Sequence, residues 1–290
     1  MKVPVKVDGR ELTLSNLDKV LYPDSGFTKA EVIDYYSRVA PVLLPHLRGR
    51  PLTVKRYPDG VTGQSFFEKN APEHTPGWVR RVNLPAPGST KNRETIDFAI
   101  VDDLPTLVYY ANLAALELHV PQWRVDDEGR ALPPDTLVFD LDPGPPATIV
   151  ECTRVALMLR EVLDAEGLTA LPKTSGSKGM QLYADWDRRE EPSAYAKRLA
   201  QLLEKEHPDQ VVSVMAKKAR PGKVFIDWSQ NNPAKTTVAP YSLRAREQPT
   251  VSTPLTWEEV GGCEHPEDLV FTAPDVLARV EKHGDLFSRA

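Results

Sequence analysis

The sequence predicts an α/β or α+β domain. Three observations carry that prediction: short apolar segments alternate with amphipathic helical ones, Gly- and Pro-containing turns separate them, and no internal repeat or low-complexity linker interrupts the series. With 290 residues, 41% hydrophobic and 27% charged, the chain can bury a core unaided, as one large domain or two small ones. No run approaches the roughly 18 apolar residues of a membrane span. Met1-Lys-Val-Pro-Val-Lys-Val-Asp8 lacks a signal peptide's apolar stretch, so a cytoplasmic location is expected. The only cysteines, Cys152 and Cys263, offer neither a disulfide framework nor a clustered thiolate metal site and are read as free thiols that pack.

Taken in order, Leu12 to Pro23 reads as a short strand and a turn. Thr28 and Glu31 form a capping box opening a helix through about Leu43, with Val32, Tyr35, Tyr36, Val39 and Val42 as its apolar stripe. Leu52 to Tyr57 is strand-like, Ser65 to Lys69 follows a Gly-containing turn, and Ile96 to Val101 is another strand. Asp103 and Pro105 open a helix rich in Leu and Ala that is expected to run to about Leu118. Pro-rich stretches, Leu132-Pro-Pro-Asp135 and Pro143-Gly-Pro-Pro146, bracket the apolar strand from Thr136. Ile149 to Leu163 and Ser193 to Glu206 are further helices, the second following Pro192, and Pro249 to Pro254 leads into a C-terminal helical segment.

Asp140 and Asp142, in Thr136-Leu-Val-Phe-Asp-Leu-Asp, and Asp227, in Val224-Phe-Ile-Asp, end apolar strand-like runs. Burying an ionised carboxylate there is costly unless it is paired or holds a metal. Strand alternation puts Asp140 and Asp142 on one face, where they repel unless a cation lies between them. Hard divalent ions take carboxylates together with substrate phosphates, so a third carboxylate makes a nucleotidyl-transfer site a candidate. An isolated Asp-x-Asp before Pro143-Gly-Pro-Pro146 also fits surface aspartates at a turn.

A net charge of −5 argues at first against a nucleic-acid binder, but the charge is unevenly spread. Residues 1–100 carry 15 Lys/Arg against 11 Asp/Glu, residues 101–168 carry 4 against 13, and the remainder 17 against 17. Between Ser213 and Arg246 lie seven basic residues, Lys217, Lys218, Arg220, Lys223, Lys235, Arg244 and Arg246, and a single acid, Asp227. That stretch suits a polyanion, or a solvated loop of mixed charge. In Lys173-Thr-Ser-Gly-Ser-Lys-Gly179, the glycines allow close backbone approach, successive N–H groups can form an anion nest, and Lys178 adds a point charge. The Walker spacing is absent, and a plain strand-to-strand turn is the other reading.

Together, Asp140-Leu-Asp142-Pro-Gly, Thr174-Ser-Gly-Ser-Lys-Gly179, Phe225-Ile-Asp-Trp-Ser-Gln-Asn231 and Lys235-Thr-Thr-Val-Ala-Pro-Tyr-Ser-Leu-Arg244 closely resemble the polymerase domain of bacterial ATP-dependent DNA ligase D, of the archaeo-eukaryotic primase superfamily. Leu17-Asp-Lys-Val-Leu-Tyr-Pro23, Gly49-Arg-Pro51, Ser65-Phe-Phe-Glu-Lys69 and Leu116-Glu-Leu-His-Val-Pro-Gln-Trp123 extend the resemblance over nearly the whole chain. It implies a core of two mixed β-sheets flanked by helices, within a single domain over 1–290. That domain would comprise an N-terminal part (1–115) contacting DNA, a catalytic part (116–250) and a helical C-terminal segment (251–290). No ligase or nuclease segment is present, and a stand-alone member of the mycobacterial and actinobacterial type is expected.

Residue by residue, the resemblance implies that Asp140, Asp142 and Asp227 are the catalytic metal ligands for two Mn²⁺ or Mg²⁺ ions. It assigns Ser175, Ser177 and Lys178 to the triphosphate loop, with Lys55, Arg220, Lys223, Gln230 and Arg244 also at the nucleotide. His119 matches a histidine near the incoming sugar, where a ribonucleotide preference needs a 2′-hydroxyl sensor. Lys19 and Lys29 match a pocket for the downstream DNA 5′-phosphate, with helix N–H groups after Thr28 in support. Arg56, Phe66, Phe67 and Lys69 match template contacts, with one phenylalanine outward and one packed. Many relatives carry a histidine where Gln181 stands, so a charged or proton-transferring role is not expected there.

The implied activity is gap filling and primer extension with NTPs or dNTPs, as in non-homologous end joining. Bacterial Ku and a separate ATP-dependent DNA ligase are the expected partners, and a monomer associated with the nucleoid is expected. The alternatives are a catalytically weak DNA-end-binding and synapsis module, and a nucleotide-sugar transferase, which leaves Asp227 and the N-terminal lysines unexplained.

Overall fold

The computed structural model describes residues 2–86 and 94–288. In chain order its strands are β1 (Lys2–Val7), β2 (Arg10–Ser15), β3 (Val20–Tyr22), β4 (Phe27–Thr28), β5 (Thr53–Arg56), β6 (Phe66–Glu68), β7 (Arg81–Pro85), β8 (Thr95–Ala99), β9 (Ala115–Val120), β10 (Thr136–Pro143), β11 (Leu171–Thr174), β12 (Met180–Asp185), β13 (Val211–Val212), β14 (Val224–Asp227) and β15 (Thr237–Val238). The helices are α1 (Lys29–Leu47), α2 (Leu104–Asn112), α3 (Ile149–Ala165), α4 (Pro192–Glu206), α5 (Trp257–Gly261) and α6 (Ala273–His283).

Two larger sheets organise the molecule. One has five strands in the order β11-β12-β10-β14-β13, mixed because β13 runs parallel to β14; the other has four antiparallel strands in the order β15-β9-β5-β6. Strand alternation sorts β10 cleanly. Leu137, Phe139 and Leu141 are buried against α3 and α4 in one core, while Val138 joins the other core, built on α1, α2, β5 and β9. Asp140 and Asp142 therefore share a face with Val138, away from α3 and α4. A division between residues 115 and 116 falls inside β9, which pairs with β5 of the N-terminal part.

Helix α1 begins at the Thr28–Glu31 capping box and continues past Leu43 to Leu47, through Pro41 and Pro45. Its stripe is buried, and the tyrosines also carry polar work: Tyr36 Oη donates to Leu116 O at 2.6 Å and Tyr35 Oη to Tyr241 O at 2.8 Å. These bonds fix β9 and the 241–244 segment to the helix.

The helix expected to reach Leu118 ends at Asn112, and Ala115–Val120 is a central strand. Ala114 adopts a left-handed φ of 55°, which breaks the helical path. The Leu- and Ala-rich composition suited a helix, but the alternation of Glu117 and His119 with buried Leu116 and Leu118 is that of a strand.

Candidate active site between the two sheets

A cleft of about 490 Å³ is lined from the five-stranded sheet by Asp140, Asp142 and Gln181 and from the four-stranded sheet by His119, Thr237 and Val238. Ser175, Ser177, Lys178, Gly179, Gln230, Thr236, Arg244 and Arg246 complete it. Eight predicted residues thus meet in one cavity. Asp227 joins them by register, because antiparallel pairing sets it directly opposite Asp140.

That register extends across the sheet. Lys173 of β11 pairs with Gln181 of β12, Gln181 with Asp140 of β10, and Asp140 with Asp227 of β14. Cross-strand partners project to the same face. Gln181 Nε2 donates to Asp140 Oδ1 at 2.9 Å. Asp227 accepts at Oδ1 from the Ser229 N–H at 3.0 Å and hydroxyl at 2.5 Å, and at Oδ2 from Gln230 Nε2 at 2.9 Å. Lys235 in turn donates to the Ser229 hydroxyl.

The three carboxylates repel one another. Burial, together with the charges of Asp142 and Asp227, pushes Asp140 up to about 7 against the donated bond from Gln181. Asp142 is raised by burial and by Asp227, while Arg220 opposes the shift. Among the described residues no three His, Cys, Asp or Glu side chains stand as a ready metal cage. The donor set still fits a hard divalent cation: clustered carboxylate oxygens in a polar cleft, with charge that the protein leaves unneutralised.

The facing wall is internally neutralised. Glu117 is 4% exposed and accepts from His119 Nε2 at 3.0 Å and from the Ala245 N–H at 3.1 Å, while Arg244 Nε stands 3.4 Å away. Burial alone would raise Glu117, but His119, Arg244 and the Ala245 amide hold it down at about 2. Burial lowers His119 despite Glu117, which favours the neutral ring. Arg244, expected at the nucleotide, lines the cleft and also acts as a strut: its Nη1 donates to Ser175 O, tying the loop of one sheet to Glu117 of the other.

In the loop after β11, Gly176 holds a φ of 66°, and a Cβ at Gly179 would lie 2.1 Å from Leu141 O. Glycine is required there so that the loop can lie directly on the Asp-x-Asp strand. The N–H groups expected to form an anion nest are engaged within the loop: Gly176 donates to Thr174 Oγ1 at 3.3 Å, and Ser177 and Gly179 donate to Ser175 Oγ at 3.3 and 3.2 Å. Lys178 is exposed, and Arg246 donates to the Ser177 hydroxyl.

Other predicted residues lie apart from the cleft lining. Lys223 Nζ donates to Pro208 O at 2.6 Å, and Arg220 lies 3.7 Å over the Phe225 ring and donates to Met215 O. Lys55 lies beside Glu117 and Phe67 in register, its Nζ 5.2 Å from the Tyr57 ring. Phe66 and Phe67 are both exposed, at 41% and 53%, so neither packs as expected; on a two-faced edge strand they point to opposite sides. Phe67 meets the His119 ring at 5.9 Å, whereas Phe66 lies opposite Arg56, which is held by Glu68 at 3.0 Å and Leu113 O at 2.9 Å. Lys69 Nζ donates to Ala234 O at 3.3 Å.

Lys29 is buried, with Nζ donating to Ser15 O at 2.7 Å, and burial and then Lys19 and Arg56 lower it to about 8. Lys19 pairs with Asp59 at 2.7 Å. The helix N–H groups expected to assist there are occupied: Lys29 N donates to Lys19 O, Ala30 N to Leu17 O and Glu31 N to Thr28 Oγ1.

Sequence reasoning assigned no role to Glu117 or Lys173, and named Arg246 only within the basic stretch. For Glu117 the signal was present, since Glu117 and His119 alternate on an apolar strand just as Asp140 and Asp142 do.

Residues 28–287 match the family model described as LigD, primase-polymerase domain. The multifunctional non-homologous end joining protein LigD of Mycolicibacterium smegmatis is 44% identical over 278 residues, 95% of this chain and 35% of that protein. The bifunctional LigD of Bacillus subtilis is 33% identical over 94% of this chain and 43% of that protein. The chain thus spans less than half the length of these relatives. Among solved structures, the polymerase domain from Mycobacterium tuberculosis ligase D in complex with DNA superposes with a TM-score of 0.88 at 43% identity, covering 95% of this chain and 96% of that one. On these matches, the chain belongs to the LigD primase-polymerase domain family.

Proposed function

We propose that this chain is a metal-dependent, template-directed nucleotidyltransferase that extends primers and fills short gaps at DNA breaks, with ribonucleotides preferred over deoxyribonucleotides. One observation carries the reading: Asp140, Asp142 and Asp227 come together on adjacent strands beside the Ser175–Gly179 loop, in a cleft whose acid charge calls for cations. Two Mn²⁺ or Mg²⁺ ions held by these carboxylates would supply Lewis acidity toward the primer 3′-hydroxyl and neutralise the triphosphate. The chain's own residues do the positioning. Lys178 and the Ser175 and Ser177 hydroxyls line the cleft and would meet the phosphates, and the Arg244 strut ties their loop to the opposite wall.

His119 has its Nε2 occupied by Glu117, so in the neutral ring Nδ1 is an acceptor, suited to a donated 2′-hydroxyl hydrogen bond. Phe67 beside it offers an exposed aromatic face for a base, and Lys69 and Lys55 flank it. Lys29, a buried cation bonded to neutral oxygens, together with Lys19, suits a DNA 5′-phosphate. The relatives' names support a role in non-homologous end joining; bacterial Ku and a separate ATP-dependent DNA ligase are the partners such a role would call for.

The test is a gapped, 5′-phosphorylated duplex supplied with Mn²⁺ and either NTPs or dNTPs. Wild type is expected to add templated nucleotides, and Asp140→Ala and Asp227→Ala to lose about 10³-fold or more in rate through lost charge stabilisation. Binding of the end without any addition by wild type would replace the polymerase with the end-binding module.

A further inference from the structure

Lys173 is 0% exposed. Burying an ammonium is costly, and an apolar side chain of similar length would fill the space more cheaply. Its Nζ has no carboxylate in direct contact: it donates to Gln181 Oε1 at 2.6 Å and to Ser252 Oγ at 2.7 Å, and stands 5.3 Å from the Tyr183 ring. The Ser252 hydroxyl gives its proton to Thr174 O at 2.8 Å, so its oxygen is free to accept from Lys173. The side chain is anchored at its tip, and one of its two bonds is aimed at Gln181.

That bond, the shorter of two that reach Gln181 Oε1 (Tyr183 Oη donates to the same oxygen at 3.3 Å), decides which way the Gln181 amide points. An amide has a donor end and an acceptor end of nearly the same shape. With Lys173 donating on one side and the Asp140 carboxylate accepting on the other, only one orientation satisfies both: Oε1 toward Lys173 and Nε2 toward Asp140 Oδ1 at 2.9 Å. The flipped amide would set N–H groups against the ammonium and an oxygen against the carboxylate. Lys173, Gln181 and Asp140 are successive partners across β11, β12 and β10, so backbone pairing maintains the line.

We propose that Lys173 is a positioning residue for the metal site, acting through Gln181. By fixing the amide it fixes the Asp140 carboxylate in one rotamer, with Oδ1 held by a donor and Oδ2 presented to a cation. The inference rests on the metal-binding reading of Asp140. Partners that orient a ligand in this way typically change metal affinity about 10- to 100-fold when removed.

Mn²⁺ titration followed by electron paramagnetic resonance of the free ion, on the full chain without DNA or nucleotide, tests the inference. Wild type, Lys173→Met, Gln181→Leu, the double variant and Asp140→Ala would be compared, with thermal unfolding to verify that each folds. Lys173→Met and Gln181→Leu are each expected to weaken Mn²⁺ binding about 10-fold. The double variant is expected to match Gln181→Leu alone, because Lys173 acts through that side chain. A purely structural lysine would lower stability and leave Mn²⁺ affinity in place, or would add its effect to that of Gln181→Leu; either result overturns the inference. Should Lys173→Met fail to fold, Gln181→Leu decides: unchanged Mn²⁺ affinity in that variant overturns it. Loss of binding in Asp140→Ala alone refutes the Lys173 role and keeps the metal site. Unchanged binding in every variant refutes both.

Discussion

The two walls of the cleft carry their charges in opposite ways. On the five-stranded sheet three carboxylates crowd one end of a face, and burial and mutual repulsion raise Asp140 to about 7. On the four-stranded sheet Glu117 is as deeply placed, yet His119, Arg244 and a backbone amide hold it at about 2. A wall whose charges are paired from within is rigid and suited to orienting a ligand. A wall whose charges are left unpaired is unstable alone and stabilised by a cation from outside. Lys29 shows the inverse case, a buried cation bonded to neutral oxygens and suited to an incoming anion.

The contrast can be broken at the paired wall first. Glu117→Ala strands His119 and Arg244 and is expected to cost about 3 kcal/mol in urea unfolding, the usual penalty for removing one partner of a buried charge pair. A loss near zero would show that Glu117 does not organise this wall. His119→Ala is the next largest. The ratio of kcat/KM for NTPs over dNTPs should fall about 10-fold, equivalent to about 1.4 kcal/mol for one hydrogen bond in the cleft. An unchanged ratio would move sugar recognition elsewhere.

The anion-seeking pocket sharpens the comparison through pH. Lys29 is charged below about 8 and loses its proton as pH rises through that value. The advantage of a gapped substrate with a 5′-phosphate over one without should therefore shrink several-fold above that pH, with the midpoint moved upward when phosphate is bound. Open primer extension, which lacks that phosphate, should not share the decline. The smallest effect is at the unpaired wall. Asp142→Asn relieves repulsion in the cleft lining and should raise the metal-free melting temperature by about 1–2 °C. A lowered temperature would mean the carboxylates are already balanced.

Legibility followed the physics of each residue. The helix α1 was readable because its cap and its stripe are local: Thr28 and Glu31 bond each other three residues apart. The end of α2 was misread because Ala and Leu suit helices and buried strands alike, and the strand β9 is central, with few polar positions to show its period. Phe66 and Phe67 were expected to divide into an outward and a packed ring, but a three-residue edge strand has two open faces. Gly176 and Gly179 were recognised as sites of close approach; what approaches is the chain's own backbone.

The sequence by itself determined the clustered carboxylates, the loop and the family, because those are matters of residue type and short spacing. Alternation alone puts Asp140 and Asp142 on one face. Only the tertiary structure decided that Lys173, Gln181, Asp140 and Asp227 form one line across four strands, and that Arg244 spans from Ser175 to Glu117. Those relations join residues far apart in the chain, Ser175 and Arg244 lying 69 positions apart. They depend on strand order and register, which are set by how the apolar faces pack together and not by any one segment.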